Sequence, residues 1–335
     1  MTTHLTRRHV VRLGATTLGA TALAAPALLT GRASAQAAWP TKPVRVLVTF
    51  PPGGTSDIVA RLLGQFMSEK LGQQFLVENR PGAGGTIAAE AVKKEAADGH
   101  TLLLANNAPF TISPTQFKTM PYDTVKDFTH VAYIGASAPG LFVQPSLGVK
   151  DLQGFIAKAK AEPGKLTYGS SGVGSIHHVL GEALKKRAGI NVTHVPYKGT
   201  APAIQDFKAG VLATFYDLVA QNVPMLKAGE AIAVGVAAPA RISQAPDVPT
   251  FKEQGIDLVL ENWLGVSAPK DLPPAIVASI HGAVKDALAL PAVQERLNGW
   301  GVERIAMSSE QYARFVADQI DVWRPLIIEA GAQEK

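Results

Sequence analysis

VRVLVTFPPGGTSDIVARLL, Val44 to Leu63, changes character twice within a short distance. A β-branched apolar run ends at Pro51-Pro52, Gly53-Gly54 turn the chain, and Thr55-Ser56-Asp57 follow. These last three are residue types that cap helices. Ile58, Leu62, Leu63, Phe66 and Leu71 then recur at helical spacing until Gly72. The same order continues: FLVEN (Phe75–Asn79) reads as a strand, PGAGG as a turn, TIAAEAVKKEAA as a helix and TLLLAN (Thr101–Asn106) as a strand. A β-α-β-α-β run implies a parallel sheet with helices on its faces.

The middle of the chain repeats this logic. HVAYIG, GLFVQP, KLTYGS, THVPYKG, VLATFYD, AIAVGVAA and NWLGVSAP read as strands, with helices at DLQGFIAKAKA, SIHHVLGEALKKRAG, TAPAIQDFKAG and roughly 221–228. The C-terminal part, from Pro273, is helical, and Ser308-Ser309-Glu310-Gln311 suits a capped helix start. An early βαβ block, a middle one and a helical tail predict an α/β protein of two lobes, each a sheet flanked by helices. Residues 36–140 with 258–335 form lobe one and 141–257 lobe two. The crossovers lie near 135–145 and 255–265, and the cleft between the lobes is the expected ligand site.

Composition narrows the function. Of 335 residues 47% are hydrophobic and 18% charged, which suits a globular chain. The absence of cysteine excludes disulfides, thiolate metal sites and cysteine nucleophiles. The net charge is +5, but Arg7, Arg8, Arg12 and Arg32 lie in an acid-free segment, 1–35, so only +1 remains for residues 36–335. Nucleic-acid binding loses its electrostatic basis. Arg7-Arg8, a mildly apolar run from Leu13 to Leu29 and Ala33-Ser34-Ala35 read as a cleaved twin-arginine export signal. The apolar run falls short of the roughly 20 residues that span a bilayer. The mature protein, from near Gln36, is then expected to be soluble and periplasmic.

Three loops can carry a ligand. In PPGGTSD, Gly53 and Gly54 allow close backbone approach, and a helix start after them offers N–H groups and partial positive charge to an oxyanion. Phosphate-loop lysine is absent. Read in isolation, the loop is equally a plain strand–helix turn. In YGSSGVGSIHH, Tyr168 to His178, Ser170, Ser171, Gly174 and Ser175 repeat the chemistry. The third glycine of a dinucleotide fingerprint is replaced by His177, and Val173 breaks a nucleophile elbow. Adjacent His177 and His178 lie about 100° apart on a helix and do not share a metal as an i, i+4 pair does. One of them packs and one faces the cleft; His178 is the candidate. In VPYKGT, Tyr197 and Lys198 offer a hydroxyl and a cation. Asn106 and Asp217 sit at strand ends, where α/β ligand sites form. Beside an anion, Asp217 is unfavourable unless it holds a water, a loop amide or a ligand amine. Phe50, Phe110 and Trp263 are either cleft walls or core. No base and nucleophile, metal cluster or cofactor fingerprint assembles, so no enzyme, metal or cofactor is expected.

Together these runs resemble a known family. WPTKPVRVLVTFPPGGTSDIVARLL, LGQQFLVENRPGAGGTIAAEAV, ADGHTLLL, YDTVKDFTHVAYI, AKAEPGKLTYGSSGVGSIHHVLGEAL, THVPYKGTAPAIQDFKAG, APDVPTFKEQG and NWLGVSAPKDLPP are similar to the solute-binding proteins of tripartite tricarboxylate transporters, the Bug family of periplasmic receptors. The departures are small: VTFPPGG stands where VPFPPGG is commoner, and DGHT where DGYT is. The resemblance implies a type II periplasmic binding protein fold, working as a monomer that captures a carboxylate and delivers it to the transporter's membrane components. It also implies a carboxylate clamp of Gly53, Gly54, Thr55 and Asp57 with Ser170, Ser171, Gly174 and Ser175. Di- and tricarboxylates and aromatic carboxylates are the expected ligands. No acidic cluster for an ammonium is legible, which points away from amino acids. A receptor that signals to a membrane kinase and an exported hydrolase are the alternatives.

Overall fold

The computed structural model of the chain describes residues 39–333, so the expected export signal lies outside the described residues. Ten strands form two five-stranded sheets. The first has the order β2-β1-β3-β10-β4, from β1 (Val44–Val48), β2 (Phe75–Asn79), β3 (Thr101–Asn106), β4 (Phe128–Ser137) and β10 (Asn262–Pro269). The second is β7-β6-β8-β5-β9, from β5 (Pro139–Val143), β6 (Thr167–Ser170), β7 (Thr193–Pro196), β8 (Thr214–Leu218) and β9 (Ile232–Val236). The chain leaves the first sheet at Ser137 and enters the second at Pro139.

The sheets are mixed, not parallel throughout as the βαβ pattern predicts. In each, one strand is reversed: β10 runs antiparallel to β3 and β4, and β5 to β8 and β9. Each is the first strand after a crossing between lobes. A strand arriving from the other lobe starts at the cleft, where the parallel strands end, and so runs the opposite way.

Helices cover both faces. In lobe one these are α1 (Thr55–Leu71), α2 (Thr86–Lys93) and the short α3 (Ser113–Gln116). Lobe two adds α4 (Leu152–Ala161), α5 (Ile176–Ala188), α6 (Thr200–Lys208) and α7 (Val223–Lys227). After the return come α8 (Pro274–Ala289), α9 (Pro291–Gly299) and α10 (Ser309–Glu329). Val44, Val46 and Val48 pack with Val59, Leu62 and Leu63 of α1 and Ile280 and Val284 of α8. The intervening Leu47 faces the opposite core with Ala88, Ala89 and Val92 of α2, as strand alternation requires. In lobe two Leu141 and Val143 meet Val179, Leu180 and Leu184 of α5, while Phe142 turns to Phe207 of α6. Burying a side chain such as Phe142 contributes on the order of 2 kcal/mol.

The last helix serves both lobes. It starts with the capping box expected at Ser308 and Gln311. Its Tyr312 and Val316 lie in the lobe-one core, whereas Trp323 and Ile327 lie in that of lobe two. Arg187 of α5 pairs with Glu329 at 3.0 Å near its end. Residues 258–333 therefore pack in both lobes.

Candidate functional site

The ends of β1, β3, β6, β7 and β8 and the turns that follow them line an open cavity of about 170 Å³. Such crevices at the carboxyl ends of strands are where α/β folds bind ligands. Lobe one contributes Phe50 to Ser56, Asn106 and Asn107; lobe two contributes Ser171, Ser175, His177, Lys198 to Pro202 and Asp217. The lobes are joined beside it where Gln221 Nε2 donates to Thr55 Oγ1 at 2.6 Å, and elsewhere where Gln244 Nε2 donates to the Asn298 carbonyl at 2.9 Å. Asn107 braces the returning strand: its Nδ2 donates to the Glu261 carbonyl at 2.8 Å and its Oδ1 accepts from the Trp263 amide at 2.9 Å.

The helix starts differ from expectation. Gly54 is the N-cap of α1, in an ordinary extended conformation (φ −80°, ψ 166°), and no side chain caps it. Thr55, Ser56 and Asp57 lie inside the first turn. Asp57 folds back to accept from the Gly53 amide and from Arg61 Nε, both at 3.0 Å. Burial alone raises its pKa, but those bonds outweigh it and hold the carboxyl below its usual range. The first-turn amides of α1 keep their partial positive charge facing the cavity. In lobe two, α5 is already capped: Ser175 Oγ accepts from the His178 amide at 3.2 Å and donates to the Gly172 carbonyl at 2.7 Å. The uncapped start facing the cavity belongs to α6, whose N-cap is Gly199. It lies one loop later than sequence reasoning placed it.

Of the residues singled out from sequence, Phe50, Gly53, Gly54, Thr55, Asn106, Ser171, Ser175, Lys198 and Asp217 line the cavity. Five others lie behind its wall. Asp57 is used as described. Ser170 is fully buried, its Oγ 2.7 Å from His194 Nε2. Gly174 abuts Gln116 of α3 and gives its amide to His178 Nδ1 at 3.3 Å. Tyr197 turns its hydroxyl to Asp206 at 2.6 Å. His178 stacks on His194, which stacks on Tyr168, with centroids 4.4 and 4.8 Å apart. His177, not His178, faces the cleft, because the α5 packing of Val179, Leu180 and Leu184 sets the rotation that brings it there. Phe110 and Trp263 are core. Sequence reasoning did not single out Ser56, Thr200, Ala201, Pro202 or Asn262 as ligand residues; the signals for Ser56 and Thr200 were their places in the Thr55-Ser56-Asp57 capping run and the Lys198-Gly199-Thr200 turn.

Lys198 and Asp217 are the Lys, Arg, Asp and Glu side chains in the lining. Asp217 is 3% exposed; burial lifts its pKa to about 6 against the bonds from Asn222 and the Leu218 amide. Burial holds His177 neutral, its pKa lowered to about 3. Among the described residues no group of three or more His, Asp and Glu is arranged to hold a metal ion.

Two α/β lobes with a cavity at their facing strand ends define a two-lobed, type II periplasmic binding protein fold. The model of the tripartite tricarboxylate transporter family receptor matches residues 59–332, and the chain belongs to that family. It is a solute-binding receptor and not an enzyme. The chain is similar to R. palustris Rpa4515 with adipate: 34% identity, TM-score 0.83, covering 88% of this chain and 98% of that one. It is similar to MatC (Rpa3494) from Rhodopseudomonas palustris with bound malate: 33% identity, TM-score 0.80, covering 86% and 99%. The periplasmic binding protein BugD is 28% identical, with a TM-score of 0.83 over 89% and 100%.

Proposed function

We propose that the chain is a periplasmic receptor, exported by its twin-arginine leader and working as a monomer. It closes on a small organic carboxylate and delivers it to the membrane components of a tripartite tricarboxylate-type transporter. One observation carries the reading: the uncapped starts of α1 and α6, one per lobe, face a single cavity together with Lys198. Both ends present N–H donors and positive potential, which suit a carboxylate held between lobes. The volume, about 170 Å³, is below the roughly 300–1,000 Å³ of drug-sized sites. That favours a short acid over a large aromatic one. Adipate and malate in two relatives support the same ligand class.

The test is a melting and calorimetry screen of the purified protein against an organic-acid library. An acid at 100 times its dissociation constant is expected to add about 2.7 kcal/mol of stability. A folded protein that no acid stabilises overturns the reading. Gly54→Val provides a second check. The backbone at Gly54 is ordinary and a Cβ there meets nothing nearer than the Pro51 carbonyl at 3.7 Å. Stability is expected to stay within about 1 kcal/mol, while affinity falls at least tenfold because the branched side chain enters the cavity. Unchanged affinity would remove this loop from the site.

A further inference from the structure

A carboxylate held by the helix starts leaves one part of the cavity wall unexplained. His177 Nδ1 is 2.8 Å from Ser171 Oγ, but its Nε2 has no hydrogen-bond partner although the side chain is only 8% exposed. Asp217 Oδ1 lies 3.8 Å from that nitrogen, beyond direct hydrogen-bond range. Asp217 Oδ2 accepts from Asn222 Nδ2 at 2.9 Å, which fixes the carboxylate's orientation. Both residues line the cavity. A buried polar atom without a partner costs about 1–3 kcal/mol, so the pair favours a ligand group that satisfies it.

The chemistry of that group follows from the two atoms. An X–H group between them donates to Asp217. A hydroxyl also accepts from His177 Nε2–H; an ammonium donates a second proton to Nε2 when the imidazole proton is on Nδ1. A methylene does neither and leaves both atoms unsatisfied. A second carboxylate placed there faces the charge of Asp217. We infer that the ligand of this cleft carries a hydrogen-bond-donating substituent, a hydroxyl or an ammonium, and that His177 and Asp217 together read it. This rests on the carboxylate reading of the same cavity. A single correctly placed carboxylate meets the requirement that a cluster of acids was expected to meet, so amino acids return to the candidate class beside hydroxy acids.

Matched triples test the inference by calorimetry on the purified protein: succinate, malate and aspartate; propionate, lactate and alanine; phenylacetate, mandelate and phenylglycine. Within any triple that binds, the hydroxy or amino acid is expected to bind at least tenfold tighter than the plain acid. Asp217→Asn and His177→Phe are expected to shrink that preference to threefold or less without weakening the plain acid more than threefold; loss of the Asp217 charge favours any carboxylate in the cavity. Equal binding of plain and substituted acids overturns the inference and leaves the receptor reading standing. So does an equal loss for all three acids in both variants, which marks a merely structural role. Binding of no acid overturns the carboxylate reading, and the inference with it.

Discussion

Asp217→Asn is expected to stabilise the ligand-free protein by about 3 kcal/mol at neutral pH, while weakening the binding of hydrogen-bond-donating ligands. The carboxyl titrates at 3.8 in an unfolded chain and at about 6 in the fold, chiefly because burial disfavours its charged form. A group raised in this way gives stability that is fully present below pH 3.8 and lost as the pH rises through about 6; the difference amounts to about 3 kcal/mol. Asparagine remains neutral throughout. Its amide oxygen takes over the bond from Asn222, and its NH₂ group faces His177. Urea unfolding at pH 7 should show the gain, and at pH 4 most of it should be gone. Equal stability of the two proteins at pH 7 would show that Asp217 is not held at a penalty.

Lowering the pH from 7 to 5 should destabilise the fold, by about 2 kcal/mol for each of His130 and His177. Burial lowers their pKa values to about 4 and about 3. Below 6.5 the unfolded chain takes up these protons and the folded chain does not, so stability falls as the pH drops through that window. His194, lowered to about 3, and His178 act in the same direction; desolvation leads in both. Asp217 opposes them, but between pH 6 and 5 it recovers only part of its penalty. The depressed carboxylates, such as Asp57, do not contribute until the pH approaches the ordinary carboxylate range. Unfolding midpoints that stay level between pH 7 and 5 would contradict this.

Much of the fold was legible because its signals are local. NWLGVSAP reads as a strand from composition and is β10, Asn262–Pro269. The capping box at Ser308 needs only four consecutive residues, and it forms. The turn at Gly53-Gly54 has the backbone freedom its residues promise, with Gly53 at φ +84°. The candidate site was legible only in part. Strand ends and glycine turns marked Phe50 to Thr55, Ser171, Ser175, Lys198 and Asp217 as residues near the cleft. Spacing did not say which neighbours turn inward. Ser170 and Ser171 are adjacent, yet one bonds His194 inside the lobe and the other faces the cavity.

By itself the sequence determined the order of strands, turns and helices, hence two α/β lobes and a cleft at their facing strand ends. Those follow from periodicity, helix caps and glycine turns, whose energetics involve residues a few positions apart. Tertiary structure decided the rest. It reversed β5 and β10, because a strand arriving from the other lobe begins at the cleft. It sent α10 from one core into the other, since apolar spacing marks a buried face but not the partner that buries it. It rotated α5 so that His177 meets Asp217, forty positions away, across 3.8 Å. That distance depends on how β8 and α5 pack, which no local pattern encodes, and it is what directs the cleft toward a ligand with a proton to donate.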